Sequence, residues 1–402
     1  MRRRPRLVDE AEAVRTVTRL LKIEGTSGRE GGIARAIAAE LAKAGVPRGR
    51  IRHDRADRKV AFDAECGNLV AEIPGTGALA REKPRLFCAH MDTVTLASGA
   101  RPVRKGSYVV AAGETALGAD DRAGCAAILT MMKTLARRKM DHAPLVLLFT
   151  IAEETGLWGA RHAEAKTLKK CAMGFSYDGG DARELVVAAP SSDTFSLEIT
   201  GRASHAGVHP ERGVSAATVF AEATSRLSAG GWLGKVKKGR GGRDEGTANI
   251  GVVEGGLATN VVMPSLIARG EARSFSASFL DKILDTIRRE FERAAHRARN
   301  SDGKRAKARF VREAVYRAFD LGDDAPVVRE AASAAGALGL EPVFKRQFGG
   351  LDANWLNAHG VPTVTLGVGE SNPHAVGERL NLKQYLLGCE MAVRLAGAGG
   401  GG

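Results

Sequence analysis

The chain has 402 residues, more than one hydrophobic core usually holds, and 44% hydrophobic content, which together describe a globular protein of two domains. Its 60 basic and 46 acidic residues leave a formal charge of +14, which admits nucleic-acid or anionic-surface binding, yet the basic residues are spread through helical stretches and no nucleic-acid-reading motif with interleaved aromatics occurs. No apolar run reaches membrane-spanning length, the basic Met1-Arg2-Arg3-Arg4 start leads into no apolar segment, and five scattered cysteines suggest no disulfide framework, so a cytoplasmic protein with reduced thiols is expected.

In chain order, residues 8–45 carry an apolar helical period broken by Gly25-Thr26-Ser27-Gly28, and residues 50–84 alternate around Gly67-Asn68-Leu69-Val70-Ala71 as a strand does. Leu86-Phe87-Cys88-Ala89 is an apolar strand that breaks off at His90 and Asp92, at the carboxyl end where open α/β sheets hold their ligands. A His near an Asp is more often a satisfied polar pair than a ligand. Leu117-Gly118-Ala119-Asp120-Asp121 follows, where Asp121 can cap the helix running through Cys125, Ile128, Leu129, Met132 and Leu135 and leave Asp120 as a ligand; an ordinary capping turn is the plainer alternative. The apolar stretch 145–152 breaks into Glu153-Glu154, whose carboxylates raise each other's proton affinity unless a cation or a proton-transfer role absorbs the charge. Met173-Gly174-Phe175-Ser176-Tyr177 ends in Asp178.

Past Asp178 the pattern changes. Pro190-Ser191-Ser192 marks a crossing, and Phe195–Ile199 alternates like a half-buried antiparallel strand. A helix with Val214, Val219, Phe220 and Ala223, strands over 250–253 and 266–273, a helix over 280–299 and a strand over 308–315 complete a two-layer α+β unit at 192–318. It is inserted between 1–191 and 319–396. The stretch 228–246 is Gly-rich and concentrates Lys235, Lys237, Lys238, Arg240 and Arg243 in a loop. The first sheet resumes with Asp324-Ala325-Pro326, whose Asp can cap the next helix, and strand 361–367 leads into Ser371-Asn372-Pro373-His374. The glycine-rich 397–402 tail is expected to be disordered. Five element ends thus offer His, Asp, Glu, Asp and His, a hard-oxygen and imidazole set suited to zinc or a similar divalent ion.

With His90-Met91-Asp92-Thr93-Val94, Gly118–Gly124, Glu153-Glu154-Thr155-Gly156-Leu157, Ala203-Ser204-His205-Ala206-Gly207, Gly349–Asn354 and His374 followed by Glu378 in this order, the chain resembles the zinc-dependent exopeptidase superfamily of tripeptidase T, aminoacylase and succinyl-diaminopimelate desuccinylase. The tripeptidase T branch is the nearest likeness, and the matches run from about residue 10 to residue 390. The resemblance implies an α/β fold: a mixed central sheet flanked by helices, a phosphorylase/hydrolase-like catalytic domain, with the α+β unit as a lid. It also implies two zinc ions per subunit, replaceable by cobalt or manganese, with His90 and Asp178 on one, Glu154 and His374 on the other, and Asp120 bridging. Spacing alone separates neither Asp120 from Asp121 nor Glu153 from Glu154.

By the same likeness Glu153 moves the proton of the attacking water, Asp92 accepts from the second ring nitrogen of His90, and His205 stabilises the oxyanion, commonly in the site of a partner subunit. Asn260 and Arg273 would contact a substrate carboxylate, and Asp352 and Asn354 would shape the pocket floor. Each has an ordinary alternative: exposed turn residues for His205 and Asn260, a surface charge for Arg273, a turn cap for Asp352, and plain chain turns for Gly367 and Gly369. The loop over 228–246 departs from the family pattern and bears on substrate preference. The implied activity is an aminopeptidase acting on short peptides as a homodimer through the lid, with no membrane or specific nucleic-acid partner. An N-acyl-amino-acid deacylase or carboxypeptidase on the same scaffold is the near alternative, and a metal-free basic nucleic-acid-binding protein the distant one.

Overall fold

The computed structural model describes residues 6–239 and 244–397, so the glycine-rich tail beyond Gly397 and the expected basic positions Arg240 and Arg243 lie outside the described residues. The chain divides into two compact units. One holds the chain up to Ala188, Asp320–Gln347 and the chain from Leu351 onward; the other holds Ala189–Phe319 with Phe348–Gly350. The divisions fall a few residues from the 191/192 and 318/319 boundaries read from sequence. Phe348–Gly350, read there as catalytic, packs with the second unit: Arg273 Nη1 donates to the Phe348 carbonyl at 3.1 Å, and the Phe275 and Phe348 rings meet edge-on at 4.9 Å. Both contacts join residues far apart in the chain, so no local pattern announces them.

In the first unit the sheet runs, in spatial order, through Ile51–His53, Leu69–Ile73, Leu145–Thr150, Arg85–His90, Met173–Tyr177, Thr363–Leu366 and Glu184–Ala189. Leu145–Thr150, Arg85–His90, Met173–Tyr177 and Thr363–Leu366 are mutually parallel, and the flanking pairs are antiparallel. The central strands are continuously apolar because both faces are covered. Phe87, Ala89, Leu147 and Phe149 enter one apolar cluster, while the alternating Leu86, Cys88, Val146 and Leu148 enter another. The helix Ala119–Arg138 covers the first face and runs close beneath Tyr177, where a Cβ at Gly124 would lie 2.1 Å from the Tyr177 carbonyl oxygen. Only glycine permits that approach, and it brings the start of the helix beside the end of the Met173–Tyr177 strand.

Two local expectations change. The helix Pro326–Ala337 is entered from Ala325 with no side-chain cap bond; Asp324 does not cap it, and Pro326, which has no N–H to satisfy, starts the helix instead. A small antiparallel sheet not anticipated from sequence joins Glu370–Ser371, Arg379–Asn381, Tyr108–Ala111 and Pro102–Lys105 in that order.

In the second unit the strands Gly234–Lys238, Asp244–Gly255, Ser265–Ser274, Ser191–Thr200 and Lys307–Tyr316 form an antiparallel sheet in that order. Helices Ala216–Ala229 and Ala277–Arg297 cover one face, packing Val219, Ala223, Ile283, Ile287 and Phe291 against Leu197, Ile199 and Ala268. Val252, Ile267 and Val311 stay exposed. The lysines expected in a loop lie on a strand: Lys235 and Lys237 pair with Glu245 at 3.2 and 3.5 Å, and Lys238 sits 4.7 Å over the Trp232 ring. No described helix is long and apolar enough to cross a membrane.

Candidate metal centre

The parallel strands of the first unit end on one side of the sheet, so the residues at those ends meet. Asp120 is the hub. One of its carboxylate oxygens lies 2.9 Å from His90 Nε2 and the other 3.1 Å from His374 Nε2, which is itself 2.8 Å from Glu154 Oε2. Ligand-capable atoms of His90, Asp120 and Glu154 lie within 4.8 Å of one another, and those of Asp120, Asp178 and Glu370 form a second such group. All five residues expected as metal ligands therefore belong to this constellation, with Asp120 common to both groups.

The ambiguity between adjacent acids is resolved by backbone geometry. Asp120 and Asp121 are not helical themselves. Asp121 turns inward, accepting from Gly124 N–H at 2.8 Å and His90 N–H at 3.1 Å, which leaves Asp120 facing the imidazoles. Glu154 meets His374, and Glu153 is placed beside it by Asp92, whose carboxylate accepts from the backbone N–H groups of Glu153 and Glu154 at 3.0 and 3.2 Å and from Ser27 Oγ at 2.6 Å. Asp92 faces His90 as well. Its carboxylate is 3.4 Å from His90 Nδ1 and its backbone oxygen 3.1 Å from the same nitrogen, so the residue both faces His90 and anchors the Glu153-Glu154 corner.

Two ordinary residues here adopt left-handed backbone: Ala152 (φ 49°), just before the glutamates, and His374 (φ 60°). Such conformations cost on the order of 1–3 kcal/mol each and persist where surroundings hold them. Buried Glu30 holds the first, accepting from Ala152 N–H at 2.9 Å and Gly28 N–H at 3.0 Å. Glu378 holds the Asp120 turn, accepting from Leu117, Gly118 and Asp120 N–H at 2.8, 2.8 and 3.1 Å. Sequence reasoning missed Glu30, Ser27 and Glu370 and gave Glu378 no role; no periodicity marks them.

The electrostatics call for cations. Burial, reinforced by neighbouring Asp120, pushes the Asp178 carboxyl up to about 8. Burial likewise raises Glu153, with Asp178 and Asp352 adding to it, and raises Glu154 and Asp121. His374 is pushed up to about 10 by Asp120 and Glu154; for His90, burial would lower the proton affinity, but Asp120 and Asp92 carry it well above the ordinary imidazole range. Among the described residues, protein atoms do not satisfy the cluster: Glu154 Oε1 and Glu370 Oε2 are buried without a hydrogen-bond partner. Buried carboxylate oxygens beside two imidazoles fit a divalent metal ion, because a cation removes the mutual repulsion that burial amplifies.

Asp352 is buried, accepts from Thr150 Oγ1 and, at 3.8 Å, Cys88 Sγ, and is close enough for its charge to act on Glu153 and Asp178; burial moves it up to about 6. Asn354 turns back to accept from Leu351 N–H at 3.0 Å, as a turn cap does. In the second unit the Arg273 fork is already filled by Glu271, with both contacts at 3.0 Å. Asn260 lies beside the His205 turn, its carbonyl accepting from Ala206 N–H at 2.9 Å. His205 Nδ1 accepts from Gly207 and Val208 N–H, both at 3.1 Å, which places the ring proton on Nε2.

Residues 86–398 match the peptidase family M20/M25/M40. The chain is 31% identical over 390 residues to the uncharacterized protein YqjE of Bacillus subtilis, covering 97% of this chain and 98% of that one. Its structure is similar to those of the aminopeptidase PepT from Bacillus cereus (TM-score 0.84) and a tripeptidase from Staphylococcus aureus (TM-score 0.86). Both are 30% identical to it, and each comparison covers 97% of this chain and 98% of the other.

Proposed function

Because this chain belongs to the peptidase family M20/M25/M40, we propose that it is a two-metal aminopeptidase that releases the N-terminal residue of short peptides, as a tripeptidase does. The observation that carries the reading is the convergence of His90, His374 and Glu154 on Asp120. A pair of divalent ions, zinc with cobalt or manganese able to replace it, supplies Lewis acidity and a water acidified to near neutrality. In this reading His90 and Asp178 would hold one ion and Glu154 and His374 the other, with Asp120 shared between them.

Glu153 takes the proton of the attacking water and returns it to the departing amine. Asp92 fixes the corner on which Glu153 stands, and the His90 Nδ1 contact to the Asp92 backbone oxygen directs Nε2 toward Asp120. His205, with its proton on Nε2, is the donor for the oxyanion of the tetrahedral intermediate. Asn260 is the nearer candidate for a substrate carboxylate, since Arg273 must first exchange Glu271. The reading includes a homodimer formed through the second unit, supported by its exposed Val252, Ile267 and Val311, and a cytoplasmic location, supported by free cysteines.

The test is a panel of dipeptides, tripeptides and N-acyl amino acids assayed after reconstitution with zinc, cobalt or manganese. A requirement for a free α-amino group is expected. Preference for blocked N-termini would overturn the aminopeptidase assignment in favour of a deacylase.

A further inference from the structure

Glu370 has no part in the reaction described above, yet it is built into the centre. It is 8% exposed, its Oε2 is buried with no hydrogen-bond partner among the described residues, and one of its oxygens lies within 4.8 Å of ligand-capable oxygens of both Asp120 and Asp178. Its backbone is fixed from two sides. The strand Glu370–Ser371 pairs with Arg379–Asn381, while Val368 N–H donates to the Gly179 carbonyl at 2.7 Å and Gly369 N–H to the Gly180 carbonyl at 2.6 Å. The loop after Asp178 and the segment carrying Glu370 are thus tied together, and the left-handed Gly369 (φ 91°) turns the chain just before the side chain. A carboxylate oxygen held without a donor in a dry site is costly, and a cation is the partner that removes the cost for all three acids at once.

We propose that Glu370 is a further ligand of the ion at Asp120 and Asp178, making that position rich in carboxylate oxygen and selective for a hard divalent ion, manganese, over zinc. The other position, which Glu154, His374 and Asp120 would hold, has the same single imidazole but fewer carboxylates and is the counterpart better suited to zinc. The inference rests on the two-ion reading and refines it: the two positions are chemically unlike, and a mixed manganese and zinc pair is the preferred filling.

Metal-free full-length protein is titrated with manganese and, separately, with zinc, by calorimetry and by the loss of the free manganese electron-resonance signal. Wild type should take up two ions, one of them with a manganese preference. Glu370→Gln keeps size and shape but removes the charge; it should weaken manganese binding at one position about 10-fold or more and leave the other within about twofold. Glu370→Asp, one methylene shorter, should fall between them and serves if the Gln variant does not fold. Manganese affinities in both variants equal to wild type at both positions would overturn the proposal, since a permanently protonated Glu370 gives that result. Two unlike positions in wild type with an unaffected Gln variant would sink this inference alone, whereas no ion uptake by wild type would sink the two-metal reading with it.

Discussion

Two adjacent glutamates at one strand end carry different burdens, and each can be removed separately. Glu154 meets His374 at 2.8 Å, while Glu153 stands beside it on the corner held by Asp92. Glu153→Ala should lower kcat by about 10²–10⁴ while elemental analysis still finds both ions, whereas Glu154→Ala should lose metal first. Retained turnover in Glu153→Ala would remove its assigned role. His205→Ala should lower kcat by about 10²–10³ with metal content unchanged, because only an oxyanion donor is lost; steady-state kinetics beside metal analysis checks this. The Glu153-Glu154 pair is legible in the sequence because it stands where an apolar run stops, whereas His205 and the division of labour between the two glutamates come from the family resemblance. Glu30 and Glu370 are not legible there: each acts through partners distant in the chain, Ala152 for the first and the Asp178 loop for the second, and neither interrupts a pattern.

Among the elements, the three helices Glu10–Leu20, Gly31–Lys43 and Ala119–Arg138 are pinned by one acid. Glu40, on the second, pairs with Arg19 of the first at 2.6 Å, Lys133 of the third at 2.7 Å and Lys43 of its own helix at 2.8 Å. Burial opposes its charge, but these three cations outweigh it and hold the carboxyl down to about 2. Since the folded value lies below the unfolded one, the contribution is complete above about pH 4.5 and is lost as pH falls toward 2. Arg19 and Lys43 are about half or more exposed, so water screens part of the interaction, and about 1–3 kcal/mol is the expected size. Glu40→Gln should therefore destabilise the protein by that amount at pH 7 and flatten the acid limb of stability against pH, measured by urea unfolding. An unchanged acid limb would show that Glu40 is not the group responsible.

The elements themselves divide by length. Leu145–Thr150 and the Ala119–Arg138 helix were readable because their periods persist over enough residues to exceed local noise, and the alternating strands of the second unit were readable likewise. Glu370–Ser371 spans two residues and Arg379–Asn381 three, too few for any period, and their pairing exists only through tertiary contact. The Gly234–Lys238 strand was read as a loop for a related reason: its lysines hide the alternation around buried Val236.

For the molecule as a whole, buried carboxylates without partners mean that ions add to stability as well as to chemistry. Exhaustive chelation should abolish peptide hydrolysis and lower Tm, and added zinc or manganese should restore both; an ion present at 1,000 times its Kd contributes about 4 kcal/mol by mass action. Calorimetry on the chelated and reloaded protein checks this, and an identical Tm in both states would contradict it. The net charge of +14 is the excess left after ion pairs such as Lys235 and Lys237 with Glu245 or Arg312 with Asp193 and Asp281 are counted, and it bears on solubility and on the attraction of acidic partners, not on the fold.

The order in which a ribosome delivers the chain sets when this enzyme can come alive. Thr363–Leu366 is the strand that fills the gap between Met173–Tyr177 and Glu184–Ala189, and Glu378, which grips the Asp120 turn, is made later still. A nascent polypeptide that has emerged only as far as the second unit holds His90, Asp120, Glu154 and Asp178 but neither the wedge that closes their sheet nor the clasp on their bridge. The full set of contacts around the centre is therefore available only once the chain has been made past Glu378.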